Sequence, residues 1–165
     1  MLIGIMADTH DRLPLIDKAV ERMNREKVDL VIHAGDYIAP FVVQHFKPLK
    51  AKLIGVFGNN DGELRLLKEK FSEIGHEIRG RFAEVIVDGL RMAILHGDDE
   101  ELLNSLINCG GYNVVIHGHT HQSMIRRVGK TLVINPGEVC GYLTAKSTIA
   151  KLDTEKLQVE VITLK

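Results

Sequence analysis

Leu2-Ile3-Gly4-Ile5-Met6-Ala7 runs without a break into Asp8-Thr9-His10. An apolar run of this length, ended by polar residues, has the pattern of a buried strand. The same arrangement recurs four more times. Residues 30–33 lead into Gly35-Asp36, 52–57 into Gly58-Asn59-Asn60-Asp61, 90–95 into His96-Gly97-Asp98, and 112–116 into Gly118-His119-Thr120-His121. In α/β sheets ligands collect at the carboxyl ends of strands, so five polar clusters placed there are expected to converge on one site.

Between these strands the apolar period changes to that of a helix. Leu13, Ile16, Ala19, Val20 and Met23 recur at helical spacing, with Asp11 as an expected N-cap and Pro14 in the first turn. Residues 40–46 read as a short helix, and Leu64, Leu67 and Phe71 mark another that Gly75 can terminate. The resulting βαβαβ order implies a parallel sheet with helical crossovers. The second half reads differently. Residues 84–87 and 90–95 flank Asp88-Gly89, a hairpin signal. A helix is expected over 100–108, stopped by Gly110-Gly111, and further strands over 112–116, 131–135, 147–152 and 157–164. One α/β domain over residues 1–165, with two packed sheets and helices outside, is the expected product.

The composition is ordinary for a globular chain: 165 residues, 45% hydrophobic, 26% charged, formal charge −1. That charge gives no strong nucleic-acid signal. No apolar run approaches the ~18 residues of a membrane span, and the N-terminus does not read as a signal peptide. A cytoplasmic protein is expected, with Cys109 and Cys140 as buried thiols rather than a disulfide.

The chemistry lies in the residue types of the five clusters. Asp8 and His10 are two apart, as are His119 and His121; in an extended segment that spacing turns both side chains to one side. Carboxylate, amide oxygen and imidazole together suit Mn, Fe, Ni, Co or Zn better than Mg or Ca. No cysteine falls within the clusters, which argues against a structural zinc site. Two M²⁺ ions against two Asp carboxylates leave a positive centre that attracts a phosphate anion. Two ions roughly 3.5–4 Å apart can generate a bridging hydroxide and clamp phosphoryl oxygens during in-line attack.

With these motifs in view (DTH, GD, GNND, HGD and GHTH, each after a strand and in this order), the chain resembles the calcineurin-like metallophosphoesterases over essentially its whole length. Its short length and Asn135-Pro136-Gly137 look most like the small, capless phosphodiesterases, whose fold the retromer small subunit shares. The resemblance implies an α/β fold in which a β-sandwich of two mixed sheets is flanked by helices. It implies one ion held by Asp8, His10, bridging Asp36 and His121, and a second held by Asp36, Asn59, His96 and His119. Mn²⁺ is the first expectation for the pair, with Ni²⁺, Co²⁺, Fe²⁺ and Zn²⁺ as alternatives. It further implies a metal-dependent phosphodiesterase acting on a small phosphodiester. The alternatives are an interaction scaffold like the retromer subunit, or a nuclease; a homo-oligomer is left open.

One position departs from the family pattern. Many members carry His after the ligand Asn, where it can protonate the leaving group; here the residue is Asn60, which can hydrogen-bond a phosphoryl oxygen but donate no proton as an acid. Asp61 reads either as an orienting catalytic residue or as the N-cap of the following helix. Asp98 and Asp99 read as caps, His45 and His76 as surface residues, and Asn135 as shaping a loop at the site's border. The roles of His33, His117 and Asp11 stay open at this level.

Overall fold

The computed structural model describes residues 1–165. Eleven strands and four helices follow in the order β1 (Leu2–Met6), α1 (Leu13–Glu26), β2 (Leu30–His33), a 3-10 turn (Pro40–Val42) continuing into α2 (Val43–Phe46), β3 (Lys52–Gly55) and α3 (Leu64–Glu73). Then come β4 (Glu77–Ile78), β5 (Phe82–Val87), β6 (Leu90–Leu95), α4 (Glu100–Asn108), β7 (Val114–Ile116), β8 (Ser123–Val128), β9 (Thr131–Pro136), β10 (Thr148–Asp153) and β11 (Gln158–Thr163). Six strands form one sheet in the order β11-β10-β1-β2-β3-β4, and five form the other in the order β5-β6-β7-β9-β8. Both sheets are mixed, as expected: β1, β2, β3 and β4 run parallel in the first, β6, β7 and β9 in the second, and antiparallel strands complete each.

Side-chain alternation explains why the two sheets stack. Ile3 and Ile5 of β1, Leu30 and Ile32 of β2, Met92 and Ile94 of β6, Val114 and Ile116 of β7, and Leu132 and Ile134 of β9 share one cluster between the sheets. The intervening residues face outward and meet helices. Met6 and Val31 join Ile16, Met23, Phe46 and Phe71 under α1–α3, while Ala93, Val115 and Val133 pack against Ile107 of α4. Strands buried on both faces carry continuous apolar runs, which is why the sequence reads so plainly there. Truncating a fully buried Ile32 or Ile94 to Ala is expected to cost about 2–5 kcal/mol. Parallel pairing within each sheet brings the carboxyl ends of β1, β2, β3, β6, β7 and β9 to one end of the sandwich.

Several expectations are corrected. The helix over 40–46 opens as a 3-10 turn, and the strand expected to reach Phe57 ends at Gly55. The two-residue β4 and the largely exposed β8 have no clear apolar pattern and escape a sequence reading. Asp11 does not cap α1: the N-cap is Arg12, without a side-chain bond, and the Asp11 carboxylate instead accepts the Tyr142 hydroxyl at 3.0 Å. Asp99 does cap α4, accepting Leu102 N–H at 2.9 Å, whereas Asp98 lies 3.6 Å from Arg81. His76 is buried rather than on the surface, and Cys109 is exposed rather than buried. Gly75, at φ +86°, ends α3 as expected, its N–H donating to Ser72 O. No helix is long and apolar enough to cross a membrane.

Candidate metal centre

The strand ends deliver Asp8, His10, Asp36, Asn59, His96, His119 and His121 to one place. The backbone that presents them is not the extended segment that their spacing suggested. Asp8 (φ +51°), His10 (+46°), Asp36 (+64°), His119 (+67°) and His121 (+61°) all adopt the left-handed conformation. Non-glycine residues rarely do so without compensation, and such strain concentrates at functional sites. Each strand stops and the chain curls, so that alternate side chains converge by turning rather than by strand alternation. Two glycines make room for this. A Cβ on Gly58 would collide with Asp36 Oδ1, and one on Gly118 would lie 2.8 Å from Asp8 Oδ2.

Hydrogen bonds fix which atoms face inward. His96 Nδ1 lies 2.8 Å from Ala34 O, so it carries the proton and Nε2 points to Asp36 Oδ2 at 3.3 Å and Asp8 Oδ1 at 3.9 Å. His10 Nε2 lies 3.7 Å from Asp36 Oδ2, and His121 Nε2 3.6 Å from Asp8 Oδ1. His119 Nδ1 and Asn59 Oδ1 are 3.1 Å apart, and His119 N–H donates to Asp8 Oδ2 at 3.1 Å. Neighbouring ligands on an ion with bonds of ~2.1 Å lie about 3 Å apart, close to these separations. Asp8 Oδ1, His10 Nε2 and His96 Nε2 are buried and have no hydrogen-bond partner. Two orphaned imidazole nitrogens and an orphaned Asp8 oxygen, grouped around Asp36, form a cradle whose chemistry a cation satisfies.

Burial pushes the Asp8 carboxyl up to about 6, although His96 and His121 oppose the shift. Burial also works against ionised Asp36, but the His96 contact and the two Asn60 donors more than offset it, holding that carboxyl well below its ordinary range. Burial lowers His10, which favours the neutral imidazole that ligation requires; at His96 burial acts the same way, but Asp36 and Asp8 more than offset it and raise its pKa.

The surrounding residues resolve the open roles. Asp61 caps nothing: its carboxylate accepts the backbone N–H of Asp36 (3.1 Å), Tyr37 (2.5 Å), Ile38 (2.8 Å) and Gly58 (2.7 Å), tying two of the loops together. Fully buried His33 stacks on Tyr37 and accepts Gly35 N–H at Nδ1, so its Nε2–H donates to Thr9 Oγ1 at 3.0 Å. The Asn135 amide donates to Gly118 O and Thr120 Oγ1, holding the loop that carries His119 and His121. His117 packs beneath that loop with Nδ1 3.1 Å from Gly118 O. Asn60 turns its amide onto Asp36 Oδ2 at 2.8 Å rather than leaving it free.

Three neighbours were missed in the sequence. Cys140 comes within ligand distance of His10 and His121, 19 residues from the latter in the chain. Burial raises its thiol well above the ordinary range, and its Sγ donates to Glu138 at 3.1 Å. Glu138 and Tyr142 lie on the same loop. The only signal for Glu138 was an acid directly after Asn135-Pro136-Gly137, adjoining a motif already singled out.

Comparison with known proteins places the chain in a family. The family model of the calcineurin-like phosphoesterase superfamily domain matches residues 1–157. A phosphodiesterase of Methanocaldococcus jannaschii is 49% identical over 165 residues, covering 99% of both chains. A probable metallophosphoesterase of Methanothermobacter thermautotrophicus is 33% identical over 171 residues, covering 98% of this chain and 92% of the relative. The solved structure of an archaeal phosphodiesterase superposes with a TM-score of 0.95 at 48% identity, covering 99% of this chain and 100% of that one. Vps29 of Chaetomium thermophilum shares the fold alone, at TM-score 0.72 and 17% identity over 99% of this chain and 95% of that one. The chain belongs to the calcineurin-like phosphoesterase superfamily, whose members hydrolyse phosphate esters with divalent metal ions.

Proposed function

We propose that Asp8, His10, Asp36 and His121 hold one divalent ion, that Asp36, Asn59, His96 and His119 hold a second, and that the chain hydrolyses small phosphodiesters. The observation that carries the ligand set is the convergence of Asp8 Oδ1, His10 Nε2 and His96 Nε2, all buried and unpartnered, around Asp36. Divalent ions held there supply Lewis acidity toward a phosphoryl oxygen and lower the pKa of water. The protein's own residues do the positioning. The Ala34 carbonyl holds the proton of His96 on Nδ1, and Asp61 fixes the left-handed turn that aims Asp36.

The 49% identity to a protein named a phosphodiesterase supports the diester, as does Asn60. Its amide has no proton to give as an acid and already donates to Asp36, so a leaving group departs unaided from that side. The oxygen and imidazole donors favour Mn²⁺, Co²⁺ or Ni²⁺ over Mg²⁺. We read residues 1–165 as one domain, because a single apolar layer is shared by both sheets, and we place the protein in the cytoplasm. The likeness to Vps29 reaches the fold only and lends the scaffold alternative no support.

Hydrolysis of bis-p-nitrophenyl phosphate by chelated protein, with single metals added back, tests the reading. Activity is expected with Mn²⁺ and lost in Asn59→Ala and His96→Ala at unchanged circular dichroism. Undiminished activity in either variant would assign the reaction to another site.

A further inference from the structure

Glu138 follows β9 and is fully buried, yet it meets no Lys or Arg among its contacts. Its carboxylate is surrounded by five donors and the His121 imidazole. Oε2 lies 2.7 Å from His121 Nδ1 and accepts from Cys140 Sγ (3.1 Å) and Tyr142 N–H (3.0 Å). Oε1 accepts from Leu143 N–H (3.0 Å), Thr144 N–H (2.6 Å) and Thr144 Oγ1 (2.7 Å). Donors on both oxygens, three of them backbone N–H groups, leave neither oxygen free to carry a proton, so the geometry holds the group as a carboxylate.

We propose that Glu138 is the positioning residue of the metal centre, holding His121 as the Nδ1–H tautomer and joining that imidazole to the loop at residues 140–144 that rims the site. The proposal rests on the reading of His121 as a metal ligand. An ionised carboxylate only accepts, so the nitrogen 2.7 Å away must carry the proton. The lone pair then sits on Nε2, which faces the unpartnered Asp8 Oδ1. The same carboxylate anchors three consecutive backbone N–H groups, 142–144. The loop so fixed carries Tyr142, whose ring lies 6.0 Å from that of His10 and whose hydroxyl donates to Asp11. Orientation of one ligand and closure of the rim are thereby set by a single buried charge. Partners that orient a metal-bound imidazole in this way are worth about 10- to 100-fold in metal affinity.

The test titrates Mn²⁺ into metal-free wild type, Glu138→Gln and Thr144→Val by calorimetry. The wild type is expected to take two ions. Glu138→Gln should bind one of them about 10- to 100-fold more weakly and leave the other unchanged. Thr144→Val removes a loop contact but keeps the carboxylate on His121, and should stay within about threefold of wild type, below that range. Unchanged affinities in Glu138→Gln, or equal losses in both variants, overturn the proposal. Two ions in the wild type with no effect of Glu138→Gln would overturn it while leaving the metal centre standing; no metal in the wild type would bring down both. Should Glu138→Gln not fold, long-range ¹⁵N–¹H spectra of the Zn²⁺-loaded wild type decide the question: His121 should keep its proton on Nδ1, and an unprotonated Nδ1 overturns the assignment.

Discussion

Asn60 grips Asp36 with both of its donors, the backbone N–H on Oδ1 at 2.9 Å and the side-chain amide on Oδ2 at 2.8 Å. Oδ2 is also the oxygen that faces His96 Nε2 and His10 Nε2. Asn60 therefore orients and helps ionise the carboxylate that both ions would share, in addition to occupying the position where the family resemblance implies a His in many members.

Metal uptake should hinge on that carboxylate. Wild type reconstituted with Mn²⁺ is expected to hold two ions per chain by elemental analysis, and Asp36→Ala should weaken both. Chelation should abolish phosphodiester hydrolysis, with Mn²⁺ restoring it better than Mg²⁺. One ion per chain at saturation, or Mg²⁺ as the best activator, would contradict the ligand assignment.

Asp61 is the next test, because four backbone N–H groups converge on it. Two of those residues, Asp36 (φ +64°) and Ile38 (φ +91°), sit in strained conformations that the carboxylate compensates. Asp61→Asn turns an amide donor onto donors and should cost about 2 kcal/mol or more in urea unfolding. Asp36 loses its aim, so Mn²⁺ affinity should drop as well. A loss of stability with unchanged metal binding would confine Asp61 to the fold.

Much of this was legible in the residues. Strands such as β2 and β6 are buried on both faces where they read Leu30–Ile32 and Met92–Leu95, and announce themselves by those apolar runs. Five polar clusters at strand ends identified the site because parallel topology permits only one meeting place for them. Edge strands β4 and β8 did not announce themselves, since neighbours rather than periodicity define them. Asp11 and Asp61 looked like helix caps because the local pattern cannot reveal a partner 131 residues away or a backbone folded back from the preceding loop. Glu138 was unreadable for the same reason: its importance lies in donors that only the closed loop assembles.

His76 supplies a pH test away from the metal. Its Nδ1 accepts Leu53 N–H at 3.3 Å, so Nε2–H donates to Phe46 O. A second proton would oppose the Leu53 donor, and burial accordingly lowers the imidazole below its ordinary 6.5. The unfolded chain then binds more protons in acid, so this contribution is complete above the unfolded value and fades as pH falls through it. The urea midpoint of chelated protein should drop between pH 7.5 and 5, and less steeply in His76→Gln. A residual slope belongs to His10, His33 and His117, which burial lowers in the same direction. Superimposable profiles would remove His76 as a contributor.

Restoring the family's acid at position 60 tests why a diester is the expected substrate. Wild-type rates should depend steeply on leaving-group pKa: aryl diesters such as bis-p-nitrophenyl phosphate cleaved readily, alkyl monoesters and phosphoserine peptides poorly. Asn60→His places an imidazole at an exposed position beside Asp36 and should help poor leaving groups most, by up to about 10²–10⁴-fold. The gain should fall toward the lower end. Asp61, the nearest carboxylate in sequence, is saturated by four backbone donors and has no oxygen to spare for orienting a new imidazole. The substitution also strips Asp36 Oδ2 of its amide donor, so Mn²⁺ affinity must be measured alongside and rates compared at saturating metal. Aryl diesters should change little, because p-nitrophenolate departs without a proton. The measurement is log kcat/KM against leaving-group pKa for both proteins: a shallower slope in Asn60→His supports missing acid catalysis as the source of diester preference. Equal slopes would remove Asn60 from that account and leave the diester resting on similarity to the archaeal relative.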